Sequence, residues 1–161
     1  MNKDISIALS ELAIPFEHIH HPAVYTVEQA RRLVPEHNAK AAKNLFLRDK
    51  KGKRHVLLAI EDHKNVHFND IGRQIGIKRL SMASPDRLQH YLGITPGAVS
   101  LLALLNDHLG LVEVVIDRQL WAGKHIQAHP LVNTETLVLS INDMEKFIEY
   151  TGHTIRFVDV S

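Results

Sequence analysis

The stretch "KNLFLRDKKGKRHVLLAI", residues 43–60, decides the fold. Two apolar runs, Leu45–Leu47 and Val56–Ile60, flank a turn that holds Gly52 and five cations between residues 48 and 54. Short β-rich runs around a glycine-containing turn read as a hairpin of two core strands. Lys43 and Asn44 stand at the mouth of the first strand, an unusual address for a lysine that only needs solvent. The turn itself has a plain reading as a hairpin tip kept soluble by charge. Its other reading is an edge that meets nucleic-acid backbone.

Working outward, Ile5, Ala8, Leu9 and Leu12 fall at helical spacing, which predicts a helix over residues 4–13 capped by Asp4. "FEHIH", residues 16–20, reads as a short strand. Thr26 and Gln29 match a capping box that opens a helix to about Val34. A helix capped by Asn69 stops near Gly76, and "RLSMAS" is a brief strand. Ser84, Pro85 and Gly93 supply cap, first turn and stop for the next helix. Residues 101–117, "LLALLNDHLGLVEVVID", read as a second hairpin divided by Asn106, Asp107 and Gly110. "TETLVLSI" alternates as a strand, Asn142 and Glu145 form a capping box for a helix ending at Gly152, and "TIRFVDV" closes as a strand.

These elements predict one α+β domain over residues 1–161, on a mixed, mostly antiparallel sheet flanked by short helices. Regular long crossover helices are missing, which argues against a doubly wound parallel sheet. No apolar run approaches the roughly 20 residues that cross a bilayer. The chain has no cysteine, so no disulfide framework, thiolate nucleophile or Cys-type zinc site is expected, and cytoplasmic is the default. A net charge of +1 argues against a broad cationic DNA-binding surface.

Twelve histidines invite a metal reading. His18 with His20, or His63 with His67, can each offer two imidazoles. Neither pair sits in an HExxH pattern, so scattered surface histidines are the preferred reading, with no metal expected. Ser100 in "PGAVS" lacks the strand-turn-helix frame of a nucleophile elbow. No Walker or GxGxxG pattern is present, and no cofactor is expected. In "AHPLVNTET", residues 128–136, a turn accounts for Pro130 and Asn133, while His129 has both a surface and a functional reading.

Taken in order, "KNLFL", "LSMAS", "LGITPGAVSLLALLND", "VVID", "HPLVNTETL" and "FIEYTGH" resemble the YbaK/ProRS-associated editing-domain superfamily. Within it, they are similar to the free-standing prolyl-tRNA editing proteins of the ProXp-ala (PrdX) branch. The resemblance implies a barrel-like core and an aminoacyl-tRNA deacylase that hydrolyses mischarged Ala-tRNA(Pro). It implies the acceptor end of that tRNA as partner and prolyl-tRNA synthetase as a candidate docking partner.

Lys43, Asn44 and His129 match the family's functional residues, and Gly97, Ala98, Val99 and Ser100 match its glycine loop. Val24, Tyr25 and Phe46 are pocket-lining candidates, with plain core an equal reading for each. Lys50, Lys51, Lys53 and Arg54 become candidate tRNA contacts. The resemblance favours water activated with help from the substrate's terminal 2′-hydroxyl. One departure stands out: Leu101 replaces the proline several superfamily members carry there, which leaves amino-acid selectivity open. Cys-, Ser- or Thr-tRNA deacylation on the same scaffold is the alternative, and a non-catalytic tRNA- or synthetase-binding module is a second.

Overall fold

The hairpin forms as read: β3 (Ala42–Arg48) pairs antiparallel with β4 (His55–Glu61), with Phe46 opposite Leu57. Asp49 shapes the turn, its Oδ1 accepting from the backbone N–H groups of Lys53 and Arg54 at 2.8 and 3.1 Å. Gly52 takes the left-handed φ of +69° that the turn requires. Val56 to Ile60 are each 0% exposed, so β4 is covered on both faces. That is why its sequence is a continuous apolar run rather than an alternating one.

The computed structural model describes residues 1–23 and 39–161. The Thr26–Gln29 capping box, its helix, and the pocket candidates Val24 and Tyr25 lie outside the described residues. The other elements are α1 (Lys3–Glu11), β1 (Glu17–His20), β2 (Ala39–Lys40), α2 (Phe68–Ile75), β5 (Ser81–Met82) and α3 (Pro85–Leu92). They continue with β6 (Val112–Asp117), α4 (Arg118–Trp121), β7 (His125–Ala128), β8 (Glu135–Ser140), α5 (Ile141–Tyr150) and β9 (Ile155–Val158).

Two sheets result, in the orders β1-β8-β7-β2 and β5-β3-β4-β6-β9. The mixed sheet expected from the sequence forms, with β1–β8, β3–β4, β3–β5 and β7–β8 antiparallel, although among the described residues no barrel closes. The pairs β2–β7, β4–β6 and β6–β9 run parallel. Strings of short elements between the strands supply the crossovers that longer helices usually make.

Residues 101–117 are not a hairpin. Leu101–Asn106 form a 3-10 helix, with Ser100 Oγ accepting from Leu102 N at 3.1 Å. Leu101 to Leu104 are buried on every side, and a short apolar run without periodicity does not declare its type. Asp107 then turns the chain into β6, accepting from Leu111 N and Val112 N. Its Oδ2 also meets His153 Nε2 at 2.8 Å, tying the end of α5 to the start of β6.

Caps shift by a residue or two from the sequence reading. Asn2, not Asp4, caps α1, and Ser140, not Asn142, caps α5 through Asp143 N. His67 precedes α2 without a side-chain cap bond. Ser84 caps α3 as read.

The five-stranded sheet separates two cores. On one face Phe46, Leu57, Ala59, Val114 and Ile116 pack with Leu137 and Leu139 of the four-stranded sheet and with α1 and α5. On the other, Leu47, Val56, Leu58, Ile60 and Val115 meet Ile71 and Ile75 of α2. Each such buried aliphatic side chain contributes about 1.5–3 kcal/mol. No helix of the described residues is long and apolar enough to cross a membrane.

Candidate functional site

Successive side chains in a strand point to opposite faces, and this separates the two residues that open β3. Asn44 shares the face of Ala42 and Phe46, toward the larger core. Lys43 shares the face of Leu45 and Leu47, toward the smaller one. They are therefore not one paired group but two groups reaching around the end of a strand from either side.

Lys43 Nζ donates to the backbone carbonyl of Lys64 at 2.5 Å. Lys64 is the residue the sequence reading missed. Its side chain is buried, with Nζ donating to Asp117 Oδ2 at 2.8 Å and Gln119 Oε1 at 2.5 Å, and Glu61 Oε1 at 3.4 Å. Burial alone pushes the Lys64 ammonium down, but its bond to Asp117 and the pairing with Glu61 outweigh that and raise it. Asp117 also accepts from the backbone N–H groups of Glu61 and Gln119, so one buried carboxylate fixes the loop after β4 and the start of α4 together. The carbonyl that receives Lys43 is thereby held in place. No local signal marks Lys64, because it reads as one more surface lysine.

Asn44 Oδ1 is buried and has no hydrogen-bond partner among the described residues. An orphaned amide oxygen costs about 1–3 kcal/mol, so its retention points to a donor that arrives from outside.

His129 follows β7 at the head of a tight turn. Pro130 holds the preceding residue extended, and Leu131 takes a left-handed φ of +66°, strain of the kind kept at working sites. The chain thus reverses so that His129 Nδ1 donates to the carbonyl of Glu135 at 2.9 Å. A carbonyl only accepts, so Nδ1 carries the proton and Nε2 the lone pair. Burial pushes the imidazole below its ordinary value; the bond to Glu135 opposes this and nearby His21 adds to it. His21, its ring 6.1 Å away, is locked between the Pro22 carbonyl and the Thr136 hydroxyl, each at 2.8 Å.

The two halves meet through β2. It pairs parallel with β7, Lys40 beside Ile126. After the break at Ala41 the chain enters β3, which remains in contact with β7.

The remaining candidates divide. Gly97 lies in a 3-10 turn, Pro96–Ala98, and Val99 is half-buried. Ala98 and Ser100 are buried, and Ser100 is engaged as a cap, so neither presents a side chain to open space. Phe46 is 3% exposed and stacks on His55. At the hairpin tip, Lys50, Lys51 and Lys53 are exposed, as a phosphate contact needs. Arg54 is not free: it forks onto Glu113 at 2.6 and 2.8 Å and donates to the carbonyls of Ile75 and Gly76.

The family described as the aminoacyl-tRNA editing domain matches residues 21–147. Prolyl-tRNA editing protein ProX of Acetoanaerobium sticklandii is 40% identical over 152 residues, covering 94% of this chain and 93% of its own. Prolyl-tRNA synthetase associated domain-containing protein 1 of Danio rerio is 33% identical over 156 residues, covering 96% and 84%. The crystal structure of a candidate trans-editing enzyme for prolyl-tRNA synthetase superposes with a TM-score of 0.74 over 100% of this chain and 98% of that one. Its 16% identity makes that a likeness of fold alone. The chain belongs to the aminoacyl-tRNA editing domain family, enzymes that deacylate mischarged tRNA.

Proposed function

We propose that the chain is a trans-editing enzyme that hydrolyses the ester of alanine mischarged on tRNA(Pro). The main support for this is the family match over residues 21–147, beside which stand the buried Asn44 amide oxygen without a partner among the described residues, the Lys43 ammonium on the Lys64 carbonyl and the His129 ring on the Glu135 carbonyl. The Lys43 ammonium stabilises the negative charge that develops on the attacked carbonyl oxygen. Asn44 Oδ1 accepts from the substrate's α-ammonium, the donor its orphaned state calls for. His129 Nε2 accepts a hydrogen bond from the attacking water and orients it. Water's oxygen bonds to the carbonyl carbon, the bond to the terminal ribose oxygen breaks, and the neighbouring 2′-hydroxyl relays the proton to that leaving oxygen.

An enzyme of this kind corrects a weakness of synthetases, since a methylene more or less in an apolar pocket is worth only about 1–3 kcal/mol. Lys50, Lys51 and Lys53 hold the acceptor stem by its phosphates without reading its sequence. Such a substrate places the enzyme in the cytoplasm with the translation machinery.

Single-turnover deacylation of Ala-, Cys- and Pro-tRNA(Pro), by the native chain and by Lys43→Ala, tests the proposal. Loss of alanine alone, abolished in the variant, is expected. Preferential loss of cysteine would move the specificity, and no hydrolysis by folded protein would end the reading.

A further inference from the structure

β1 is an edge strand, and His18 and His20, two apart on it, share one face. Its partner β8 sets Glu135 directly opposite His20. The Glu135 carboxylate is 7% exposed, with Oε1 lying 2.5 Å from His18 Nε2 and 3.8 Å from His20 Nδ1. One ligand atom from each of the three residues falls within 4.8 Å of the others, which no other group of histidines and acids among the described residues matches. We propose that His18, His20 and Glu135 form a binding site for a divalent cation of the zinc class.

The chemistry fits on three counts. Two imidazoles and one carboxylate form a donor set that selects zinc and its neighbours over magnesium or calcium. A tetrahedral ion with bonds of about 2.1 Å spaces its ligand atoms about 3.4 Å apart, and the observed separations of 2.5 and 3.8 Å bracket that value. The imidazoles stand at the surface, His18 28% and His20 73% exposed, so an ion enters without opening the core.

The Met1 ammonium now lies 3.1 Å from the same Glu135 oxygen. A divalent cation bound here takes its place beside the carboxylate. The site is distinct from Lys43 and Asn44. Among the described residues it meets the candidate catalytic region at Glu135, whose carbonyl holds His129 Nδ1. A bound ion cross-links β1 to β8 beside that carbonyl and stiffens the support of His129. In the sequence the two histidines lacked a third ligand, because Glu135 lies on another strand far along the chain.

The test uses the full chain, untagged and stripped with chelator, titrated with Zn²⁺ against a chromophoric competitor and with Co²⁺ by visible absorption. One equivalent is expected, with a Co²⁺ ligand-field band. His20→Ala, at a largely exposed position, should weaken binding at least about tenfold and abolish the band. The pair His63→Ala, His67→Ala should change neither. Binding that survives in His18→Ala, His20→Ala, or no binding by the native chain, overturns the proposal, and neither result bears on deacylation.

Discussion

The Lys43 ammonium donates to the main-chain carbonyl of Lys64, whose own ammonium is buried against Asp117 at 2.8 Å. A lysine at the mouth of a strand is thus aimed by a second lysine that never needs to touch substrate. Lys64→Met leaves Asp117 charged, buried and unpaired, which costs about 3–5 kcal/mol of stability. At a temperature where this variant stays folded, the single-turnover rate should fall about tenfold or more while tRNA affinity holds. An unchanged rate in folded protein would show that the loop does not position Lys43.

Lys43→Ala removes one hydrogen bond from a half-buried position, so its stability cost should stay near 1 kcal/mol. The loss belongs to the reaction instead: about 10²–10³-fold in the single-turnover rate, the usual scale for one donor on a developing oxyanion. Thermal unfolding alongside the kinetics separates the two effects.

His129 sets an acid limit. Burial holds its imidazole below the ordinary value despite the bond to Glu135. Because the folded pKa is the lower one, the unfolded chain binds the proton more readily. Its contribution to stability is therefore full above the ordinary histidine value of about 6.5 and is lost as pH falls through the window below it. Deacylation should hold its rate through that ordinary value and fail only at lower pH. A pH–rate profile checks this, and His129→Ala should lose the acidic limb along with most of the rate.

The basic turn should separate affinity from chemistry. Replacing Lys50, Lys51 and Lys53 with alanine should weaken tRNA binding and flatten its salt dependence by about one unit of slope for each phosphate no longer held. The rate at saturation should stay. Arg54→Ala should instead cost up to about 1 kcal/mol of stability through the Glu113 pair, since that pair is largely exposed. Filter binding at several salt concentrations distinguishes them.

Asp107→Ala should unfold readily. It strands the N–H groups of Leu111 and Val112 and the buried His153 ring, at about 1–3 kcal/mol for each unsatisfied group. Urea denaturation measures the loss. His153 closes the "FIEYTGH" stretch, and its substitution should lower stability without lowering the rate per folded molecule.

Much of this architecture is written locally. The β3–β4 hairpin, α3 between Ser84 and Gly93, and the closing strand β9 follow from turn chemistry, caps and runs of apolar residues. Local signals failed at Leu101–Asn106, where four successive buried residues carry no periodicity, and the parallel neighbours of β4 were not foreseen. The burial of Phe46 and the pairing of Arg54 with Glu113 were likewise illegible, because neither is visible before the strands are aligned.

The sequence by itself determined the β3–β4 hairpin, most of the other strands and helices, and the identity of Lys43, Asn44 and His129 as residues of interest. Only the tertiary structure decided what each can do. Strand alternation put Lys43 and Asn44 on opposite faces, β8 supplied the carbonyl that frees His129 Nε2, and β6 delivered Asp117 to Lys64. The reason is one of range. Caps and turns are satisfied within a few residues, whereas the partner of a buried polar group is chosen by the register of whole sheets, which joins Lys64 to Asp117 across 53 positions and His18 to Glu135 across 117.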